Sequence, residues 1–305
     1  MIRSSQLPAP TIASYTLSRS PVTFAADSRA IEAMLEASLE RITSTGCPPT
    51  LARALRHAVL GGGHRFRPRL CYAVARATGT GPTTLTSLAA TAIELIHCAS
   101  LVHDDLPCFD DAPTRRGKPS VHRKYGEATA VLTGDALIFA AFDLLARGAE
   151  HDAARMGQLI GIVAAAAGAP RGITAGQAWE QEPSVDVSLY HDTKTAALFE
   201  ASTMCGALSS GDVPERWRPL GTALGRAYQL ADDIMDHSGT LEEMGKPTGR
   251  DAALNRPSAV LSLGLDATRR SLEHALARIK DAIPSSPGES ELRAFLGDYL
   301  EAFRC

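Results

Sequence analysis

Four aspartates fall within eight positions in the stretch His103-Asp104-Asp105-Leu106-Pro107-Cys108-Phe109-Asp110-Asp111. A second group, Asp232-Asp233-Ile234-Met235-Asp236, lies about 120 residues further on. Each follows an apolar run of helical spacing, so each sits where the helix macrodipole disfavours negative charge. One such cluster alone reads as a solvated helix end. Two of them call for a cation. Asp232 and Asp236 are four apart and share a helix face. Magnesium takes one or two carboxylates, retains waters and completes its shell with substrate phosphates. The clusters are therefore read as two walls of one metal-filled cavity that holds a diphosphate.

Arginines stand beside the first cluster, Arg115-Arg116-Gly117, and after a glycine run, Gly61-Gly62-Gly63-His64-Arg65-Phe66-Arg67. The guanidinium fork grips diphosphate oxygens bidentately. The same arginines could instead neutralise the aspartates. The glycine run is not a P-loop, which needs GxxxxGK followed by Ser or Thr. His97 and His103 are six apart on the helix that enters the first cluster, so they point in different directions. Lys194-Thr195 and Lys246 are uninformative taken alone.

The elements that must position these groups are helices. Hydrophobic residues make up 45% of the 305 positions and aromatic ones only 5%. No run of eighteen apolar residues stands out, so no membrane span is expected. A formal net charge of −3 argues against nucleic acid as a partner, which requires a basic stripe. The six cysteines are scattered without a CxxC pair, which fits reduced thiols in a cytoplasmic enzyme.

Residues 1–26 lack acidic side chains and are rich in Ser, Pro, Ala and Thr. They are read as a flexible tail, with a transit peptide as the alternative. From Ala30 on, apolar residues recur every three or four positions: Ile31, Met34, Leu35 and Leu39, then Leu51 to Leu60, Leu70 to Ala77 and Leu85 to Val102. Further helical stretches are expected over 128–146, 159–167, 190–209, 220–236, 259–279 and 289–303. No row of alternating β-branched residues appears. The fold class is therefore all-α, packed around a central cavity.

Taken together, these residues resemble the trans-isoprenyl diphosphate synthases, the polyprenyl synthetase family. Asp104 to Asp111 with Arg115-Arg116-Gly117-Lys118-Pro119 resembles the first aspartate-rich motif, and Tyr228-Gln229-Leu230-Ala231 with Asp232 to Asp236 the second. The resemblance implies a single-domain helical bundle over 27–305, usually a homodimer. It also implies three Mg²⁺ ions and the joining of isopentenyl diphosphate to an allylic diphosphate. Asp104, Asp110, Asp232 and Asp236 would then bind metal, supported by Asp105 and Asp233. Arg115, Lys194, Thr195, Gln229 and Lys246 match the allylic-diphosphate contacts. Arg67, His97 and Arg116 match the isopentenyl-diphosphate site.

Two positions depart from the family pattern. His64 stands where the glycine-rich motif carries a lysine, which would weaken isopentenyl diphosphate binding or make it pH-dependent. Arg256 stands in place of a lysine after the second motif. Ala99 and Ser100 lie one turn before Asp104, about 6–7.5 Å deeper at 1.5 Å per residue. Similar enzymes that stop at fifteen carbons tend to carry an aromatic side chain there. The expected product is therefore geranylgeranyl diphosphate, and the chain resembles the carotenoid branch of photosynthetic bacteria. A farnesyl diphosphate synthase and a non-catalytic regulatory subunit are the competing readings.

Overall fold

Helices dominate because apolar residues recur at the helical period almost throughout the chain. The computed structural model describes residues 22–238 and 256–301. Lys246 lies outside the described residues, as do positions 1–21 of the expected tail. Helix α1 (Val22–Ile42) starts inside the stretch expected to be tail. It is followed by α2 (Pro49–Val59), α3 (Phe66–Ala77) and α4 (Thr84–Asp104). A two-stranded hairpin, β1 (Thr114–Arg115) and β2 (Lys118–Pro119), precedes α5 (Val121–Tyr125), α6 (Glu127–Arg147) and α7 (Ala149–Ala167). Then come α8 (Ile173–Trp179), α9 (Val187–His191), a π-helical turn (Asp192–Ala196), α10 (Ala197–Ser209) and α11 (Arg218–Ser238). Three helices follow, α12 (Ala259–Leu263), α13 (Leu265–Asp281) and α14 (Glu289–Glu301).

Helix α4 is the central post. Thr83 and Thr86 form a reciprocal capping box at its start, which satisfies backbone donors that the helix leaves orphaned. It packs against α6, α3, α10, α1 and α7, and Leu85, Leu88, Ile93, Leu95 and Ile96 are buried in the larger apolar core. Burying each such side chain contributes about 1.5–3 kcal/mol. A second core gathers Trp217, Leu220, Leu224, Phe199 and Leu70 between α3, α10, α11 and the C-terminal helices. This core holds α11 in place.

Two local features differ from the expectations. The region expected to be one helix over 259–279 breaks at Gly264, whose φ of +83° ends α12. The hairpin was not foreseen, because two-residue strands carry no alternation. Its turn residues Arg116 (φ 53°) and Gly117 (φ 72°) are both left-handed, the conformation that a two-residue type I′ turn requires. Helices α4 and α6 are each long and apolar enough to cross a membrane by length and hydropathy alone. Most of α4 is buried as a core helix, whereas less than half of the α6 stretch is.

Candidate active site

The first aspartate cluster is shaped by the way α4 ends. Pro107 cannot continue the helix, and the chain folds back on itself. The Asp110 N–H donates to the Asp104 carbonyl (2.9 Å), Asp111 to that of Leu106 (3.0 Å) and Ala112 to that of Asp105 (3.2 Å). Asp110 is thereby returned to Asp104. Burial and the neighbouring Asp104 charge push the Asp110 carboxyl above the usual range. Burial would also raise Asp104, but Lys194, Arg115 and Arg256 outweigh it and hold that group low.

Arg115 neutralises aspartates here, one of the two compatible roles that the sequence leaves to it. Its Nε and Nη2 donate to Asp105 Oδ1 at 2.9 and 2.5 Å, and Nη2 stands 3.7 Å from Asp104 Oδ2. Lys194 Nζ lies 3.7 Å from Asp104 Oδ1. Arg256 pairs with Asp110, so the residue replacing a lysine reaches the first motif.

The second motif is joined to the first through the π-helical turn. Such turns widen a helix by one residue and occur often at functional sites. Here Lys194 reaches Asp104, while Thr195 Oγ1 donates to Gln229 Oε1 (2.5 Å). Gln229 Nε2 then donates to Asp233 Oδ1 (2.9 Å). The backbone N–H of Ala259 donates to Asp233 Oδ2 (2.7 Å), and His191 Nε2 is 3.2 Å from the same oxygen. Asp233 is thus a buried brace. Asp232 is half-buried and Asp236 buried on the same helix.

Two members of this lobe escaped the sequence reading. The Glu180 side chain, 2% exposed, accepts from Tyr190 Oη (2.6 Å), Gln177 Nε2 (2.7 Å) and Lys194. Arg256 Nε adds a contact at 3.4 Å. Glu180 therefore sets where Lys194 sits. The available signal was Gly176, where a Cβ would lie 2.4 Å from Lys194 Cα and N; only glycine lets α8 approach the π-helical turn this closely. His191 was missed because it lies three residues before Lys194 in an otherwise unremarkable helix.

A different environment surrounds Arg67. Its Nη1 is 3.5 Å from His97 Nε2, its guanidinium lies 4.6 Å from the Phe199 ring centre, and its buried Nε has no hydrogen-bond partner. Arg116 donates to the Gly62 carbonyl and rests on Gly63, where a Cβ would lie 2.6 Å from its Cζ. Burial first, then Arg67, Arg116 and Arg115, push His97 well below its ordinary value. Partial desolvation, Arg116 and Arg69 push His64 down as well. Among the described residues neither Arg67 nor Arg116 has a carboxylate at ion-pair distance. His64, Arg67, His97 and Arg116 thus form a cationic pocket. Arg65 is not part of it, since it is bonded to Glu32 and Glu94 (2.8 Å each) and to the Val59 carbonyl (2.7 Å).

The first cluster fits a hard divalent cation. Asp104 Oδ1 is buried with no hydrogen-bond partner, and the Asp110 carboxylate stands beside Asp104. No group of three or more His, Cys, Asp or Glu side chains converges among the described residues. Carboxylate pairs completed by water and phosphate are the donor set that magnesium takes.

Of the two residues expected to set product length, Ala99 is buried in the larger core with Leu95, Ile96 and Leu137. Ser100 is half-buried and donates to the His97 carbonyl (2.8 Å).

The polyprenyl synthetase family profile matches residues 48–290. The chain belongs to the polyprenyl synthetase family. It is 47% identical to the geranylgeranyl diphosphate synthase of Cereibacter sphaeroides over 271 residues, 89% of this chain and 94% of the relative. The corresponding enzyme of Rhodobacter capsulatus is 46% identical over 86% of this chain and 91% of its own. A solved geranyltransferase from Helicobacter pylori, complexed with magnesium and isoprenyl diphosphate, superposes with a TM-score of 0.79 at 31% identity, covering 93% of this chain and 99% of that one. The all-α architecture of this polyprenyl synthetase is thus shared with its solved relatives.

Proposed function

We propose that this polyprenyl synthetase condenses isopentenyl diphosphate with allylic diphosphates, and that its product is geranylgeranyl diphosphate. One observation carries the reading: a carboxylate lobe and an uncompensated cationic pocket share one end of α4. Asp104, Asp110, Asp232 and Asp236 would hold magnesium, three ions in all, which supplies Lewis-acid charge to the departing diphosphate. Lys194, Arg115 and Thr195 bind and orient that diphosphate, with Gln229 held in place by Asp233. Lys246, a further expected contact, lies outside the described residues.

Arg67, Arg116, His97 and His64 bind the diphosphate of isopentenyl diphosphate and so hold its double bond toward the allylic carbon. Attack there forms the new carbon–carbon bond as the allylic C–O bond breaks, and a proton is then lost to regenerate the alkene. The apolar side chains around α4 exclude water from the developing cation.

A homodimer is supported by α6. Val131, Leu132 and Phe139 are 42%, 56% and 74% exposed and fall within about 100° of one another around the helix. A second copy would cover this stripe. Five described cysteines are free, which supports catalysis in the cytoplasm, in a domain spanning about 27–305, as one step toward carotenoid precursors.

Incubating the purified chain with isopentenyl and farnesyl diphosphates and Mg²⁺ tests the product assignment. Geranylgeranyl diphosphate is expected, and accumulation of fifteen-carbon product alone would establish the farnesyl synthase reading instead. Ala99→Phe is expected to shorten the product. An unchanged twenty-carbon product would remove Ala99 from the cavity floor.

A further inference from the structure

Outside the diphosphate sites, one patch gathers positive charge against the trend of a chain whose formal net charge is −3. Arg53, Arg56 and His57 on α2 and Lys118 of the hairpin line an open groove floored by Leu60 and Tyr125. Lys124 of α5 stands at its edge, with Nζ 3.4 Å from His57 Nδ1 and 5.3 Å from the Tyr125 ring centre. Among the described residues no carboxylate lines the groove. Among the described residues Arg53 bonds only to Thr50 Oγ1 (3.1 Å), whereas the adjacent Arg123 is paired with Asp111 at 2.9 Å.

The patch is also fixed in shape. His57 Nε2 is 2.8 Å from the Pro119 carbonyl, which can only accept, so Nε2 carries the proton and Nδ1 offers its lone pair to Lys124. Unit charges 4 Å apart repel by about 1 kcal/mol even in water, so gathering two guanidinium and two ammonium groups without acids favours a multivalent anion. Guanidinium and ammonium groups together suit phosphate oxygens.

We propose that this groove binds the diphosphate group of a second molecule, apart from the condensation site, and that its occupancy weakens isopentenyl diphosphate binding. The choice of diphosphate rests on the reaction proposed above, which releases one diphosphate per condensation. The link between the two sites is a cavity bordered by His57, Gly61 and Lys118 on the groove side and by Arg115 and Arg116 on the other. Lys118 is also the register partner of Arg115 in the hairpin. An anion drawing on Lys118 therefore lowers the positive potential at Arg116.

Calorimetric titration of the full chain with inorganic diphosphate in magnesium-free buffer tests this. Wild type is expected to bind two diphosphates per chain, and Arg67→Gln/Arg116→Gln is expected to keep one. Adding Arg56→Gln/Lys124→Gln to that background should weaken the remaining binding at least tenfold. Alone, the groove pair should leave kcat unchanged and reduce the rise in KM for isopentenyl diphosphate caused by added diphosphate to the purely competitive part that arises at Arg67 and Arg116. If the groove pair does not fold, Arg53→Gln/Lys118→Gln replaces it.

Unchanged binding in the combined variant overturns the proposal. So does a salt-dependent fall in kcat/KM without any loss of saturable binding, which would leave the patch a steering surface only. Repeating the titration with a non-hydrolysable prenyl thiolodiphosphate identifies the source of the group. Tighter binding than inorganic diphosphate supports a prenyl ligand, and equal binding supports the free anion. Absence of condensation activity alongside intact groove binding would refute the proposed reaction but not the anion site.

Discussion

The two charged lobes at the end of α4 solve opposite electrostatic problems. In the carboxylate lobe every cation has an anion: Arg115 sits on Asp105, Lys194 on Glu180 and Asp104, and Arg256 on Asp110. In the cationic pocket, Arg67 and Arg116 have no carboxylate among the described residues, and His97 is kept neutral by burial and by its arginine neighbours. A cation entering the first lobe would compete with Lys194 and Arg115 for the carboxylates that they hold. The second requires no exchange. Arg67 keeps a buried Nε without a hydrogen-bond partner, and Arg116 bonds a carbonyl rather than a carboxylate.

The largest effect that would break this contrast comes from the carboxylate lobe. Asp104→Asn removes the carboxylate charge beside Asp110 and is expected to lower kcat by about 10²–10³-fold, measured as incorporation of labelled isopentenyl diphosphate at saturating Mg²⁺. Near-normal turnover would mean that the metal sits elsewhere. Arg116→Gln in the cationic pocket should instead raise KM for isopentenyl diphosphate by about 10–100-fold, the loss of a charged hydrogen bond, with a smaller change in kcat. A fall confined to kcat would merge the two lobes into one functional unit.

The neutral state of His97 has its own consequence for stability. An unfolded histidine takes up a proton near its ordinary value of 6.5, whereas the folded chain resists protonation there until the pH is well below it. The unfolded state thus binds more protons on acidification, and stability present above pH 6.5 declines as the pH falls, approaching about 1.4 kcal/mol per pH unit from this group. Urea titrations from pH 7 to 5 should show that slope, reduced in His97→Gln. The smallest expected effect is at His64. Replacing it by the lysine that the family pattern carries should lower KM for isopentenyl diphosphate about two- to fivefold and flatten its dependence below pH 6.5, where the depressed His64 gains its proton. No change would place His64 outside the pocket.

Much of the fold was legible because helical periodicity survives in a single sequence. The helices around Ile31, Leu55, Leu95 and Leu224 follow from apolar spacing alone. The hairpin did not, since two-residue strands have no period to detect and Arg116 reveals its left-handed backbone only in three dimensions. The break at Gly264 was hidden inside an amphipathic run. Arg65, grouped with the diphosphate-binding arginines by its place after the glycine run, proved structural because α1 and α4 bring Glu32 and Glu94 to it.

The aspartate motifs, their spacing and the arginines behind them were fixed by the chain itself, because a carboxylate pair four residues apart on a helix already faces one way. Which of those groups face each other was not. Pairing Asp104 with Lys194, Asp110 with Arg256 and Arg67 with His97 needs contacts between segments 30 to 146 residues apart, and only packing brings them together. Glu180 and the basic groove on α2 belong to that second kind. Their residue types are ordinary, and their meaning comes from the neighbours that the tertiary structure gives them.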